Sequence, residues 1–107
     1  MKFDPNYQLL QEMYEDDYFP VFLVDRVKML ILPVIELLEN GEREMAVIQG
    51  ALDTMTLGIN DLCEVFEEND SEIETCARES IAQTVMDILA WFDIEIDIED
   101  ALAEREW

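Results

Sequence analysis

The chain has 107 residues, enough for one domain, and half of them are apolar, so a hydrophobic core can form. It sets 27 Asp and Glu against six Lys and Arg, for a net charge of −21, and contains no His. That balance excludes direct binding of nucleic acid or anionic membranes, where cations must displace counterions, and it favours encounter with basic protein surfaces.

The pattern reads as an all-α fold, a compact bundle of four main helices plus a short C-terminal helix, with residues 1–107 forming a single domain. Asp4-Pro5 is a helix start, since Asp can cap free N–H groups and Pro suits the first helical position. A helix from Pro5 to Asp16 would align Tyr7, Leu10, Met13 and Tyr14. Phe19 before Pro20 ends that pattern, because a residue preceding proline is pushed away from the α region.

A second helix is predicted from Val21 to Asn40, with Gly41 as its terminating residue. After two turns it is apolar nearly all round, which predicts a central, buried helix. Pro33 inside it lacks a backbone donor and predicts a kink or split near Met29. In the third helix, Met45, Ile48, Leu52, Met55, Ile59, Leu62 and Phe66 alternate spacings of three and four. That seam requires a packed, near-parallel helix neighbour. Gly50 and Gly58 within it mark either close helix contact or a break. Glu67 to Asp70 ends it in a polar turn.

Ser71-Glu72-Ile73-Glu74 has the spacing of a capping box and predicts the start of a fourth helix. Ile73, Cys76, Ala77, Ile81, Val85, Ile88, Leu89 and Phe92 form its apolar stripe. Residues 93–100 alternate acid with Ile. Period two suits a strand, but a strand without a partner is unstable in a helical chain. An extended segment with its Ile residues docked on the bundle is expected, then a short helix opened by Asp97 or Ile98.

Two cysteines, Cys63 and Cys76, are too few for a disulfide framework and read as buried reduced thiols. The N-terminus has no signal-peptide pattern, and no apolar run reaches the length of a membrane span. A cytoplasmic location is expected.

Most catalytic templates fail on inventory. Without His there is no Ser-His-Asp or Cys-His pair and no imidazole ligand, and three glycines make no phosphate loop. No catalytic, cofactor or metal residues are assigned, no cofactor is expected, and the protein reads as a non-enzyme. Two carboxylate patterns stand beside the plainer reading of a solvated acidic face. Glu36 and Glu39, with Glu64, Glu67 and Asp70, resemble the magnesium-binding pattern of all-α nucleotide pyrophosphohydrolases of the MazG type. Asp93, Glu95, Asp97, Glu99 and Glu104 fall at calcium-loop positions, but Ile98 stands where the loop needs Gly.

The most distinctive stretch runs from Met13 to Asp25, with four aromatic rings among acids around a forced bend. Its partner-binding candidates are Tyr14, Glu15, Asp16, Asp17, Tyr18 and Phe19, with aromatic anchors ringed by carboxylates. The alternative is a helix connection whose rings close the core. The segment resembles a family of small acidic uncharacterised bacterial proteins with a Met-Tyr-x-Asp-Asp-Tyr-Phe-Pro-x-Phe-Leu-Val-Asp opening. That resemblance covers the first third of the chain and implies a bacterial origin and a compact helical domain, with no activity to transfer.

These readings converge on an intracellular inhibitor of the immunity or antitoxin type. It would bind a basic protein partner, a toxin or nucleic-acid-processing enzyme, through its acidic surface. The alternatives are a nucleic-acid mimic acting on a nuclease or CRISPR-type effector, a carboxylate-metal nucleotide pyrophosphohydrolase, and a structural subunit that pairs through the seam, for instance as a homodimer. Acidity that serves only solubility is the plainest explanation of the charge.

Overall fold

The computed structural model describes residues 1–107 as an all-α globule with principal extents of 39 × 28 × 18 Å. Helices run over Gln11–Glu15 (α1), Val21–Glu39 (α2), Met45–Glu68 (α3), Thr75–Trp91 (α4) and Ile98–Ala101 (α5), and no strand forms. α2 and α3 make an antiparallel hairpin over the short link at residues 40–44. α1 lies against α2 and α4, and α5 lies against α3 and α4. The N-terminal strap (residues 3–15) and the C-terminal strap (residues 94–107) therefore join α4 to opposite members of the hairpin. One continuous cluster of buried apolar side chains unites all of them.

The α3 seam is as its spacing predicts. Ile48, Leu52, Met55, Ile59, Leu62 and Phe66 are buried, while Met45 at the helix start is exposed. At Gly58 a Cβ would stand 2.7 Å from a Leu30 methyl, so α2 and α3 approach closely there. Gly50 has open space around it, and neither glycine breaks the helix.

Three helices end alike. The Gly41, Asp70 and Asp93 amides bond back to Leu38, Glu67 and Ala90. The next residues, Glu42, Ser71 and Ile94, bond back to Leu37, Phe66 and Leu89. Each pair is a Schellman closure with a left-handed residue: Gly41 at φ 94°, Asp70 at 58° and Asp93 at 57°.

Several expectations are corrected. The predicted Pro5–Asp16 helix shrinks to α1. Asp4 accepts a bond from the Asn6 amide and forms only a turn, and Leu10 is left-handed at φ 55°. Tertiary contact decides this. Leu10 is fully buried and its N–H donates to Thr84 Oγ1 at 3.2 Å, while Phe3, Leu9 and Met13 also reach the core.

α2 is neither central on all sides nor split. Phe22, Met29 and Leu32 are exposed, and the helix runs unbroken through Pro33. Pro33 itself is solvent-facing, so its ring and its missing donor meet water rather than the core.

Ser71 does not cap α4. It is buried as the last residue of the α3 closure, and its hydroxyl donates to the Tyr18 carbonyl at 3.1 Å. Cys76 is exposed, contrary to the expected buried thiol. Cys63 is half-buried, and both are free. Ser80 and Thr84 take buried places on the α4 stripe instead, because their hydroxyls receive the polar groups of the N-terminal strap.

The tail agrees with the sequence. Ile94 is buried, Ile96 and Ile98 pack on the core, and Asp97 Oδ1 caps α5 by accepting from the Glu99 amide. Trp107 also packs against the core. No helix is long and apolar enough to cross a membrane.

Candidate partner interface

The bend after α1 is built by local bonds. The Asp16 carboxylate accepts from the Tyr18 amide at 2.9 Å, and the Asp16 carbonyl accepts from the Phe19 amide at 3.1 Å. The chain turns there because Phe19 must leave the α region before Pro20. Phe19 is driven into the core and is only 4% exposed. It therefore cannot be a contact residue as the sequence suggested, and instead anchors the bend from inside. Tyr18 crosses it edge to face at 5.1 Å and remains 45% exposed.

Of the other candidates, Glu15, Asp16 and Asp17 are exposed. Glu15 accepts from the Gln11 side chain at 2.9 Å. Tyr14 is half-buried, and its hydroxyl donates to Asp25 Oδ1 at 2.6 Å, tying α1 to the first turns of α2. Burial, then that hydrogen bond and the Asp25 charge, hold its phenol well above the ordinary tyrosine range. Tyr14 is thus a structural pin, whereas Asp16, Asp17 and Tyr18 present themselves to solvent.

The structure adds residues that the sequence did not assign to this place. The Ser71–Tyr18 bond draws the α3–α4 turn onto the bend and carries Glu72 and Glu74 with it. Tyr18 registers them: loss of water around its hydroxyl comes first, then the charges of Glu74 and Glu72, and all raise its pKa. Glu72 is itself raised, first by a hydrogen bond from its carboxyl to Glu74 and then by that neighbour's charge. Cys76 is raised by lost hydration and by Asp16, Glu12 and Glu79. The result is one acidic surface assembled from α1, the bend and the start of α4. A long-range side-chain bond at a turn leaves no periodic mark, so pattern reading could not find it.

Little of this charge is neutralised internally. Only Glu39 and Glu99 of the 27 acids lie within ion-pair distance of a cation, at 4.0 Å from Lys2 and 3.1 Å from Arg105. Arg43 is held by the Leu38 and Glu42 carbonyls and sits 5.7 Å over the Phe92 ring.

The two carboxylate patterns do not come together as metal sites. Glu36 and Glu39 lie at the end of α2, and Glu64, Glu67 and Asp70 at the end of α3, hence at opposite ends of an antiparallel pair. Glu39 is engaged by the Phe3 amide at 2.9 Å. In the tail, Asp97 caps α5 and Glu99 faces Arg105, so the calcium-loop positions do not turn inward. No group of three or more Asp, Glu or Cys side chains is arranged to hold a metal ion.

A family of unknown function, DUF5713, matches residues 3–107, and the chain belongs to that family. No curated protein and no solved structure matches it.

Proposed function

We propose that this DUF5713 member is a bacterial binding inhibitor of the immunity or antitoxin type, which neutralises a basic partner protein in the cytoplasm through the acidic surface around Tyr18. The observation that carries the reading is the composite patch itself. Asp16, Asp17, Glu72 and Glu74 gather without a compensating cation around one exposed aromatic ring. Carboxylates held together in this way repel one another and leave the folded chain under self-repulsion. A cationic surface relieves that repulsion on binding, which accelerates encounter and favours partners of opposite charge. Tyr18 offers an amphipathic anchor at the centre of the patch, backed by the buried Phe19 ring.

The test is capture by the tagged protein from nuclease-treated bacterial lysate at low and high salt, in parallel with the Asp16→Asn/Asp17→Asn variant. The expected result is one basic protein held at low salt by the wild type, released at high salt, and weakly held by the variant. Expression of that protein alone should arrest growth, and coexpression of this chain should restore it. Retention that ignores both salt and the two substitutions would overturn the reading, as would a captured protein whose expression is harmless.

A further inference from the structure

The sequence suggests α2 as a buried central helix, yet its outer face is apolar and open to water. Phe22 is 53% exposed and Met29 is 68% exposed, two helical turns apart on that face. Beside them runs a groove between α2 and α3 lined by Arg26, Met29, Leu30, Gly58, Asp61 and Val65. Gly58 shapes it: the absent Cβ lets Leu30 lie against the α3 backbone and leaves a notch along the helix pair. Leu57, one turn before Asp61, adds an exposed side chain on the α3 side.

Pro33 on this face supplies no N–H to the Met29 carbonyl four residues earlier, so the stripe also carries a backbone acceptor lacking its regular helical donor. Neighbouring apolar side chains left in water beside a groove are characteristic of a surface that another molecule covers.

We infer that this groove receives the apolar side of a cationic amphipathic helix from the partner protein. The inference rests on the inhibitor reading and names the partner element it requires. Charge selects the occupant. Arg26 and Asp61 balance one another within the groove, so the bias comes from the chain around it, which carries a net charge of −21. A second copy of this chain would bring its own charge of −21 to the same place. A helix with Leu-like residues at i, i+3, i+4 and i+7 and Lys or Arg elsewhere fits both the notch and its rim. The stripe is continuous with the acidic patch, since Phe22 follows the bend by three residues.

The test uses a fluorescent Leu/Lys peptide of about 18 residues, long enough to form a stable helix on binding. It is compared with a scrambled peptide of identical composition and no apolar side. Binding is measured by anisotropy to the wild type, to Phe22→Gln/Met29→Gln, and to Leu32→Gln. Leu32 is exposed on α2 but lies away from the groove, on the side that faces Lys28 and Glu36.

The amphipathic peptide should bind at least about tenfold more tightly than the scrambled one, and the double variant should lose about tenfold or more, as burial of two apolar side chains requires. Leu32→Gln should bind as the wild type does. Equal binding of both peptides, unchanged in the double variant, would overturn the groove while leaving the basic-partner reading intact. Binding of neither peptide at low salt would overturn both. Self-association by ultracentrifugation that disappears in the double variant would assign the groove to a second copy and overturn the inference.

Discussion

The two straps perform the same task with different chemistry. Each runs mostly outside helical structure, and each fastens α4 to one member of the α2–α3 hairpin. The N-terminal strap adds buried and partly buried polar bonds to the packing of Phe3, Leu9, Leu10 and Met13. Leu10 N–H reaches Thr84, Ser80 donates to Glu12 at 2.9 Å, and Tyr7 donates to Asp87 at 2.6 Å. The C-terminal strap relies on apolar docking of Ile94, Ala101 and Leu102. Its polar bonds, from Gln49 to the Asp100 carbonyl and from Asn60 to the Glu104 carbonyl, are exposed. Buried polar bonds are costly to break because the abandoned group is left without water, whereas exposed ones are readily replaced by solvent. The two ends of the chain should therefore respond to different perturbations.

The largest effect is expected at the apolar strap. Leu102 is 1% exposed, and Leu102→Ala should cost about 2–5 kcal/mol in chemical denaturation followed by circular dichroism. A loss well below that range would show that the C-terminal strap contributes little to holding α4. Next is Thr84→Val, which keeps the shape of the side chain but removes the acceptor of a buried amide. It should cost about 1–3 kcal/mol, with faster hydrogen exchange at Leu10. A neutral Thr84→Val would mean that the N-terminal strap is held by packing alone, and the contrast would disappear.

A left-handed non-glycine residue also stands in the N-terminal strap, Leu10, and another immediately before the C-terminal strap, Asp93, and these should behave oppositely. Asp93→Gly relieves that backbone and removes an anion from a helix C-terminus, so it should stabilise by about 1 kcal/mol. Leu10→Gly relieves the same strain but deletes a fully buried side chain, so it should destabilise. Matching signs would refute the assignment of Leu10 to the core.

The smallest effect is a titration. Burial and then the Asp87 hydrogen bond push Tyr7 up to about 12. Its folded pKa exceeds the unfolded value of 10.0, so its contribution is complete below that pH and is lost as pH rises towards about 12. Absorbance near the tyrosinate band should show late ionisation of Tyr7, and Asp87→Asn should bring it earlier. No change in Asp87→Asn would remove that bond from the strap.

The straps also differ in how far the sequence disclosed them. The alternating Ile94, Ile96 and Ile98 announce docking along one side, and Asp97 has the position and chemistry of a cap. The α3 seam was equally readable because burial on one face imposes its own period. The N-terminal strap followed no such rule. Asp4-Pro5 is a sound helix start locally, but the turn fails to propagate because Leu10 is claimed by Thr84, 74 residues away. Ser71 misled for a related reason: its hydroxyl had two possible uses, and the contact with Tyr18 prevailed over the cap. For α2, composition showed how much of the helix is apolar but not that one side would be left uncovered. At the bend, sequence identified Asp16, Asp17 and Tyr18 as a group, placed the buried Phe19 wrongly among them, and left out Glu72 and Glu74.

Cys76 stands at the edge of this surface, in a cleft with Glu12, Glu79, Ser80 and Gln83. Its raised pKa keeps it in the weakly nucleophilic thiol form, and the carboxylates around it repel anionic reagents. Uncharged maleimides escape that repulsion and react with the exposed Cys76 thiolate once the pH is raised. The half-buried Cys63 is shielded by its position and donates to the Ile59 carbonyl. The chain thus carries a selective attachment point for a fluorophore or spin label. Because Glu12 belongs to the N-terminal strap and Glu79 to α4, a label there would report strap release and partner arrival from the same atom.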